Sequence, residues 1–136
     1  MNDRELMRLH IETLFTLDGN GDLLRVNEPN GAPAPRFFLG MTTEGIDWRV
    51  RNDVRADLRA ALASAVDSTK SREIVLDTSI DPSRYQAILA RFAPVQKTWV
   101  GPAFYCRPGL PATADTVLVT EANVAILDPV LRPWLP

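Results

Sequence analysis

The residues best suited to hold a small molecule surround a proline-rich loop. Arg25, Asn27 and Glu28 lead into the loop, Arg36 ends it, and Trp48 follows on a segment with strand-like alternation. Arginine and asparagine offer N–H donors, glutamate accepts hydrogen bonds, and a stiff loop beside aromatic residues can line a pocket. One hypothesis is therefore a ligand-binding pocket made of these five residues.

The same residue types suit a structural role. Prolines at positions 29, 33 and 35 donate no backbone hydrogen bond, so carbonyl groups in the loop need other donors. Asn27 and Arg36 can supply them. Polar side chains beside loops more often serve structure, so loop anchoring is favoured and ligand binding is the alternative.

A second candidate is the run Asp18-Gly19-Asn20-Gly21-Asp22, which matches the opening of a calcium loop. The match then fails, because Leu23 stands where such a loop has glycine and Pro29 where it has the closing glutamate. The flanking residues are typical of strands instead of helices. A β-hairpin turn is predicted here, and no metal site.

Acid–base and nucleophilic chemistry lack partners in this sequence. His10 and Cys106 are the single histidine and cysteine, so neither an internal disulfide nor a two-histidine or multi-thiolate metal site can form. His10 has no positioned partner for a general base, and Cys106 has no nucleophile motif around it. We predict no catalytic residue, metal or cofactor.

The charge balance also excludes some partners. The sequence has 15 basic and 17 acidic residues, a net charge of -2, which gives no general attraction to nucleic acids or anionic membranes. Four arginines, Arg49, Arg51, Arg55 and Arg59, are interleaved with aspartates. A solvated, salt-bridged face is therefore favoured over the alternative, an anion site. Asp3, Arg4, Glu5 and Arg8 place charges where a signal peptide would need an apolar stretch. No apolar run reaches about 18 residues, so a cytoplasmic chain is expected.

The elements that must position these residues follow from apolar periodicity. We predict an α+β fold in which two β-hairpins form an antiparallel sheet with helices packed on one face. Predicted helices begin at the Asn2–Glu5 capping box, at Asp53, after Asp81-Pro82 and at Thr120. Predicted strands cover 14–17, 23–26, 36–39, 46–51, 74–76, 98–105 and 116–119.

The predicted core uses alternate residues of both hairpins, covered by one face of the second helix. The hairpins contribute Phe15, Leu17, Leu24, Val26, Phe37, Leu39, Trp48 and Val50, and the helix contributes Val54, Leu58 and Leu62.

Several short runs resemble those of a known family. They are 14–18, 21–29, 34–40, 48–49, 101–103, 119–123, Leu131 and 134–136, and together they span nearly the whole chain. These runs resemble the N-terminal region of bacterial GNAT-family N-acetyltransferases. The resemblance implies an N-terminal α+β domain over 1–115, with 116–136 similar to the first strand and helix of the GNAT fold.

In that family the acetyl-CoA pyrophosphate is held by an R/Q-x-x-G-x-G/A turn at a helix start, and this sequence has no such turn. The expected function is therefore a non-catalytic accessory or interaction domain of an acetyltransferase-like protein. Two alternatives remain open: a PAS-like small-molecule sensor, since 14–27 also resembles the first PAS hairpin, and the acceptor-binding part of an N-acetyltransferase completed by another chain.

The C-terminal segment is unusually apolar for a surface. Such a segment either folds back on the domain or is buried in an interface. We expect a homodimer, or contact with an acetyltransferase domain, through Ile126, Leu127, Leu131 and Trp134.

Overall fold

The computed structural model describes residues 2–70, 81–104, 109 and 117–134. The α+β class with two antiparallel hairpins is confirmed. In chain order the elements are α1 (Asp3–Leu14), β1 (Phe15–Leu17), β2 (Leu23–Val26), β3 (Phe37–Thr42), β4 (Gly45–Val50), α2 (Ala56–Lys70) and α3 (Ser83–Ala90), followed by 3₁₀ helices at Glu121–Ile126 and Arg132–Trp134.

The first helix begins at the predicted capping box. The Glu5 N–H donates to Asn2 Oδ1 at 2.8 Å, and the Asn2 N–H donates to the Glu5 carboxylate at 2.9 Å. This reciprocal pair satisfies two backbone donors that would otherwise lack partners at the helix start. Ile11 is fully buried, so α1 presents its apolar face to the core.

The first hairpin contains an irregularity that corrects the predicted core. β1 and β2 pair with Phe15 opposite Val26 and Leu17 opposite Leu23, which leaves Leu24 as an extra residue in β2. Leu23 is 0% exposed, whereas Leu24 is only half-buried. The prediction of Leu24 as a core residue was wrong, because one extra residue in a strand changes which side chains face inward.

The second hairpin is a regular ladder from Phe37 opposite Val50 to Thr42 opposite Gly45. Its odd-numbered β3 residues and even-numbered β4 residues share one face, as predicted for Phe37, Leu39, Trp48 and Val50. That face packs against α2 and α3 in a core with Leu58, Leu62, Val66 and Tyr85.

The opposite face of the second hairpin closes a second core. Phe38 packs there against Met7, Ile11, Phe15 and Leu23, from α1 and the first hairpin. The structure thus adds to the predicted fold that helices cover the second hairpin from both sides. The two hairpins are separate two-stranded sheets, joined by a parallel bridge between Leu23 and Arg51.

The second and third helices differ in how well their starts were predicted. α2 begins at Ala56, and Asp53, the predicted cap, instead accepts from Arg51 at 2.7 and 3.0 Å. A guanidinium two residues away offers a stronger partner than backbone N–H groups, so the cap prediction was wrong. α3 starts after Asp81-Pro82 as expected, with Asp81 Oδ1 accepting from the Ser83 N–H at 2.9 Å.

The strands predicted in the C-terminal part are absent where the structure describes them. Residues 98–104 and 117–119 form no strand, because an isolated strand has no partner for its backbone groups. Thr120 does begin a helical turn, and its N–H donates to Asn123 Oδ1 at 2.7 Å, but the turn is 3₁₀ and ends at Ile126. The strand predicted at 74–76 lies outside the described residues, as do Tyr105, Cys106 and Thr116.

Candidate functional site

Asn27 ties the end of the first helix to the first strand. Its Nδ2 donates to the Glu12 and Thr13 carbonyls at 3.0 and 3.1 Å, and its Oδ1 accepts from Thr16 Oγ1 at 2.8 Å. Carbonyl groups in the last turn of a helix lack partners within the helix, and Asn27 supplies them. Its side chain thus anchors backbone carbonyls at a helix end, and not in the proline-rich loop where the sequence predicted them.

Arg36 has a similar role at the end of α3. Its Nη1 donates to the Leu89 carbonyl at 3.2 Å, and its Nη2 donates to the Ala93 and Pro94 carbonyls at 3.0 Å each. The side chain therefore holds a segment more than fifty residues away. The loop carbonyl of Ala34 instead accepts from Arg51 Nη1 at 3.0 Å, a contact that local sequence patterns did not predict.

The remaining members of the predicted pocket lie apart. Arg25 is exposed and lies opposite Pro33 in an isolated antiparallel bridge, and Glu28 is exposed in the loop. Trp48 packs beside Phe37, with ring centroids 6.1 Å apart, on the face toward α2 and α3. Ligand binding by the five residues together stays a prediction.

Trp48 does line a different cavity, which we call the arginine cleft. The cleft lies between the turn of the first hairpin, strand β4 and the beginning of α2, and its volume is about 380 Å³. Its lining residues are Asn20, Gly21, Asp22, Trp48, Arg49, Val50 and Arg59.

One wall of the arginine cleft is an ion pair between the first hairpin and α2. Arg59 Nη1 and Nη2 donate to the two carboxylate oxygens of Asp22 at 3.0 and 2.5 Å. The hydrogen-bonded Asp22, and the charge of Asp18 behind it, raise the pKa of Arg59 further above its usual value. Asp22 is held in place because its N–H donates to Asp18 Oδ1 at 3.0 Å and its carbonyl accepts from the Asp18 N–H at 2.9 Å.

The calcium-like run therefore folds as the predicted hairpin turn. Gly21 adopts a φ of 81°, a left-handed conformation that favours glycine. The carboxylates of Asp18 and Asp22 accept from backbone N–H groups and from Arg59. Within the described ranges, no three histidine, cysteine, aspartate or glutamate side chains converge as metal ligands would.

The other wall of the cleft comes from β4. Arg49 Nη1 donates to Asp47 Oδ1 and to the Trp48 carbonyl, the latter at 2.9 Å. Asp47 is only 8% exposed, so this pair is largely removed from solvent. The predicted salt bridges are present at Arg49, Arg51 and Arg55, but the Arg49 pair is not solvated as predicted. Arg59 pairs with a residue that sequence spacing could not indicate.

A second candidate surface consists of exposed apolar side chains. We name residues 97–104 the tryptophan segment and residues 117–131 the C-terminal apolar segment. In the tryptophan segment Trp99 is 82% exposed and Lys97 Nζ lies 4.2 Å from its ring centroid. The C-terminal apolar segment exposes Val117, Leu118, Ile126, Val130 and Leu131.

Folding back of the C-terminal apolar segment onto the domain was one of two expected outcomes, and it is not observed at these five residues. Leu127 is half-buried, and the side chain of Trp134 lies outside the described part of the structure. Of the helices in that part, none is both long and apolar enough to cross a membrane.

Comparison of the chain with protein-family models, curated proteins and solved structures found no match, so the acetyltransferase resemblance stays a prediction.

Proposed function

We propose that this chain is a non-catalytic interaction domain of an acetyltransferase-like protein, and that it pairs with a second copy of itself. The observation that carries the proposal is the exposure of the C-terminal apolar segment, where Leu118 is 83% and Val130 75% exposed. A concentration of exposed apolar side chains in one segment commonly marks a protein interface. The place in an acetyltransferase-like protein rests on the sequence resemblance.

A second copy is the favoured occupant because the two exposed segments complement each other. The C-terminal apolar segment carries Glu121 and Asp128 and no lysine or arginine, while the tryptophan segment carries Lys97 and no acid. In a twofold dimer, the first segment of one protomer meets the second segment of its partner, and the contact is repeated by symmetry. Apolar side chains then supply the contact area and opposite charges set its orientation.

Light scattering tests the dimer directly. The wild-type chain is expected at twice its monomer mass, and Leu131→Glu is expected to shift it to the monomer by placing a charge in the interface. Leu9→Glu is the matched control, because Leu9 is 47% exposed on α1 and Leu131 is 49% exposed. A monomeric wild type contradicts the proposal, and a dimer that persists in Leu131→Glu contradicts this interface.

The absence of catalysis has its own test. Because the sequence lacks the pyrophosphate-binding turn, isothermal titration with acetyl-CoA is expected to give no saturable binding tighter than about 100 μM, or roughly 5.5 kcal/mol. Tighter saturable binding would contradict a non-catalytic role. It would also contradict the acceptor-binding alternative, in which another chain holds acetyl-CoA.

A further inference from the structure

The arginine cleft contains hydrogen-bond donors that the fold does not use. Arg49 Nη1 is occupied by Asp47 and the Trp48 carbonyl, but among the described residues no acceptor lies on its Nε or Nη2. A guanidinium has five N–H donors, and its Nε and Nη2 form a side-on fork. Arg49 therefore keeps one complete fork free.

The facing wall adds further donors. Arg59 uses two of its five donors on Asp22. Asn20, in the hairpin turn, is exposed, and its side chain has no hydrogen-bond partner in the described ranges. The Asp22 carboxylate, which lines the cleft, is paired with Arg59, and the Asp47 carboxylate, outside the lining, is paired with Arg49.

Strand β4 contributes backbone donors on the same side. The Arg51 N–H donates to the Arg36 carbonyl at 3.1 Å, so Arg36 and Arg51 are a hydrogen-bonded pair. Such pairs alternate along an antiparallel ladder, so Val50 opposite Phe37 and Trp48 opposite Leu39 are non-hydrogen-bonded pairs. The N–H and C=O groups of Trp48 and Val50 thus both point away from β3, toward the edge of β4 at which Leu23 forms a bridge with Arg51.

We propose that the arginine cleft binds a small aromatic carboxylate. The charged groups with hydrogen-bonding capacity left over are the guanidinium groups of Arg49 and Arg59, so the ligand must bring acceptors. A planar carboxylate matches a guanidinium fork with two parallel hydrogen bonds. Trp48, a half-buried residue of the cleft lining, is the aromatic group against which the ring of the ligand would pack. A volume of about 380 Å³ suits a single-ring acid. The cleft shares no lining residue with the two segments that form the proposed dimer surface.

A variant of Asp22 distinguishes ligand binding in the cleft from a purely structural role of the Arg59–Asp22 ion pair. The Asp22 carboxylate competes with the ligand for Arg59 and repels its charge. Asp22→Asn is therefore expected to increase the affinity for a carboxylate ligand, whereas a purely structural ion pair would give a less stable protein and no gain in binding.

The test uses benzoate as the probe and three chemically matched compounds. In a Trp99→Phe/Trp134→Phe background, Trp48 is the only tryptophan, so its fluorescence reports on the cleft. Benzoate is expected to bind saturably and at least about tenfold more tightly than benzamide or benzylamine, which lack the anionic fork partner. Acetate, which lacks the ring, is expected to bind more weakly than benzoate.

Variants locate the site. Arg49→Gln is expected to weaken benzoate binding at least about tenfold, and Asp22→Asn to strengthen it several-fold. Arg55→Gln and Asp57→Asn are the matched controls, because this ion pair is exposed near the same end of α2 and does not line the cleft. Unsaturable benzoate binding, equal affinity for benzamide, or unchanged affinity in both Arg49→Gln and Asp22→Asn would overturn the proposal.

Discussion

The two cores that pack on the second hairpin bury their apolar side chains. The tryptophan segment and the C-terminal apolar segment have similar apolar side chains but expose them. Leu62, in the core against β4, is 0% exposed, whereas Leu118 is 83% exposed. Among the residues that the structure describes, no buried side-chain nitrogen or oxygen lacks a hydrogen-bond partner. Apolar composition alone therefore does not decide burial, and a covering element must be present.

The largest expected effect comes from shortening a buried leucine, compared with the same change at an exposed leucine. Leu62→Ala removes buried methyl groups and leaves a cavity, so the free energy of unfolding should fall by about 2 to 5 kcal/mol. Leu118→Ala, the same change at an exposed site, should shift it by less than about 0.5 kcal/mol. Urea denaturation of both variants, below the concentration at which the chain associates, measures the contrast. Similar losses would contradict it.

The next effect tests the irregularity of the first hairpin. Leu23→Ala is expected to cost about 2 to 5 kcal/mol because its side chain is fully buried, and Leu24→Ala about 1 kcal/mol or less. The same denaturation measurement applies. A larger loss at Leu24 would mean that the two strands pair without the extra residue.

A smaller effect concerns the contact between α1 and the second hairpin. A Cβ atom at Gly40 would lie 2.8 Å from Met7 Cγ and closer still to Sδ. Because Met7 is only 8% exposed, Gly40→Ala is expected to destabilise the chain by about 1 to 3 kcal/mol through overpacking. Met7→Ala in the same chain should recover part of that loss, and additive losses in the double variant would contradict the contact.

The smallest expected effect is a pH dependence of stability at Asp53, in the connection between β4 and α2. The hydrogen bond from Arg51 holds the pKa of Asp53 below its ordinary value of 3.8. A lowered pKa in the folded state means that the pair stabilises the chain above the unfolded pKa, and that this stabilisation is lost as the pH falls through the folded pKa. The stability difference between wild type and Asp53→Asn should shrink on acidification from about pH 6 to about pH 3. A constant difference would contradict the pairing.

Local patterns predicted the parts of the fold that depend on neighbouring residues. The Asn2–Glu5 capping box, the alternation of the second hairpin and the start of α3 at Asp81-Pro82 involve groups a few residues apart. Such groups interact in any context that forms the element, so the sequence alone indicates them.

The parts that depend on distant partners could not be predicted in this way. Asp22 and Arg59 are 37 positions apart, and Arg36 reaches the end of α3. The strand-like pattern at 117–119 forms no strand because pairing needs a neighbouring chain segment that periodicity does not specify. The arginine cleft belongs to this class. Trp48 was predicted in a different pocket, and Arg49 and Arg59 were predicted in a salt-bridged face that was favoured over an anion site.

The second hairpin, packed on both faces, makes the two cores depend on each other. An isolated two-stranded hairpin is marginally stable in water, so β3 and β4 persist because α1 covers one side and α2 with α3 the other. Opening either cover leaves the remaining core without a wall. Both halves should therefore lose their protection against amide hydrogen exchange in one cooperative step, with the central amides of β3 and β4 among the last to exchange.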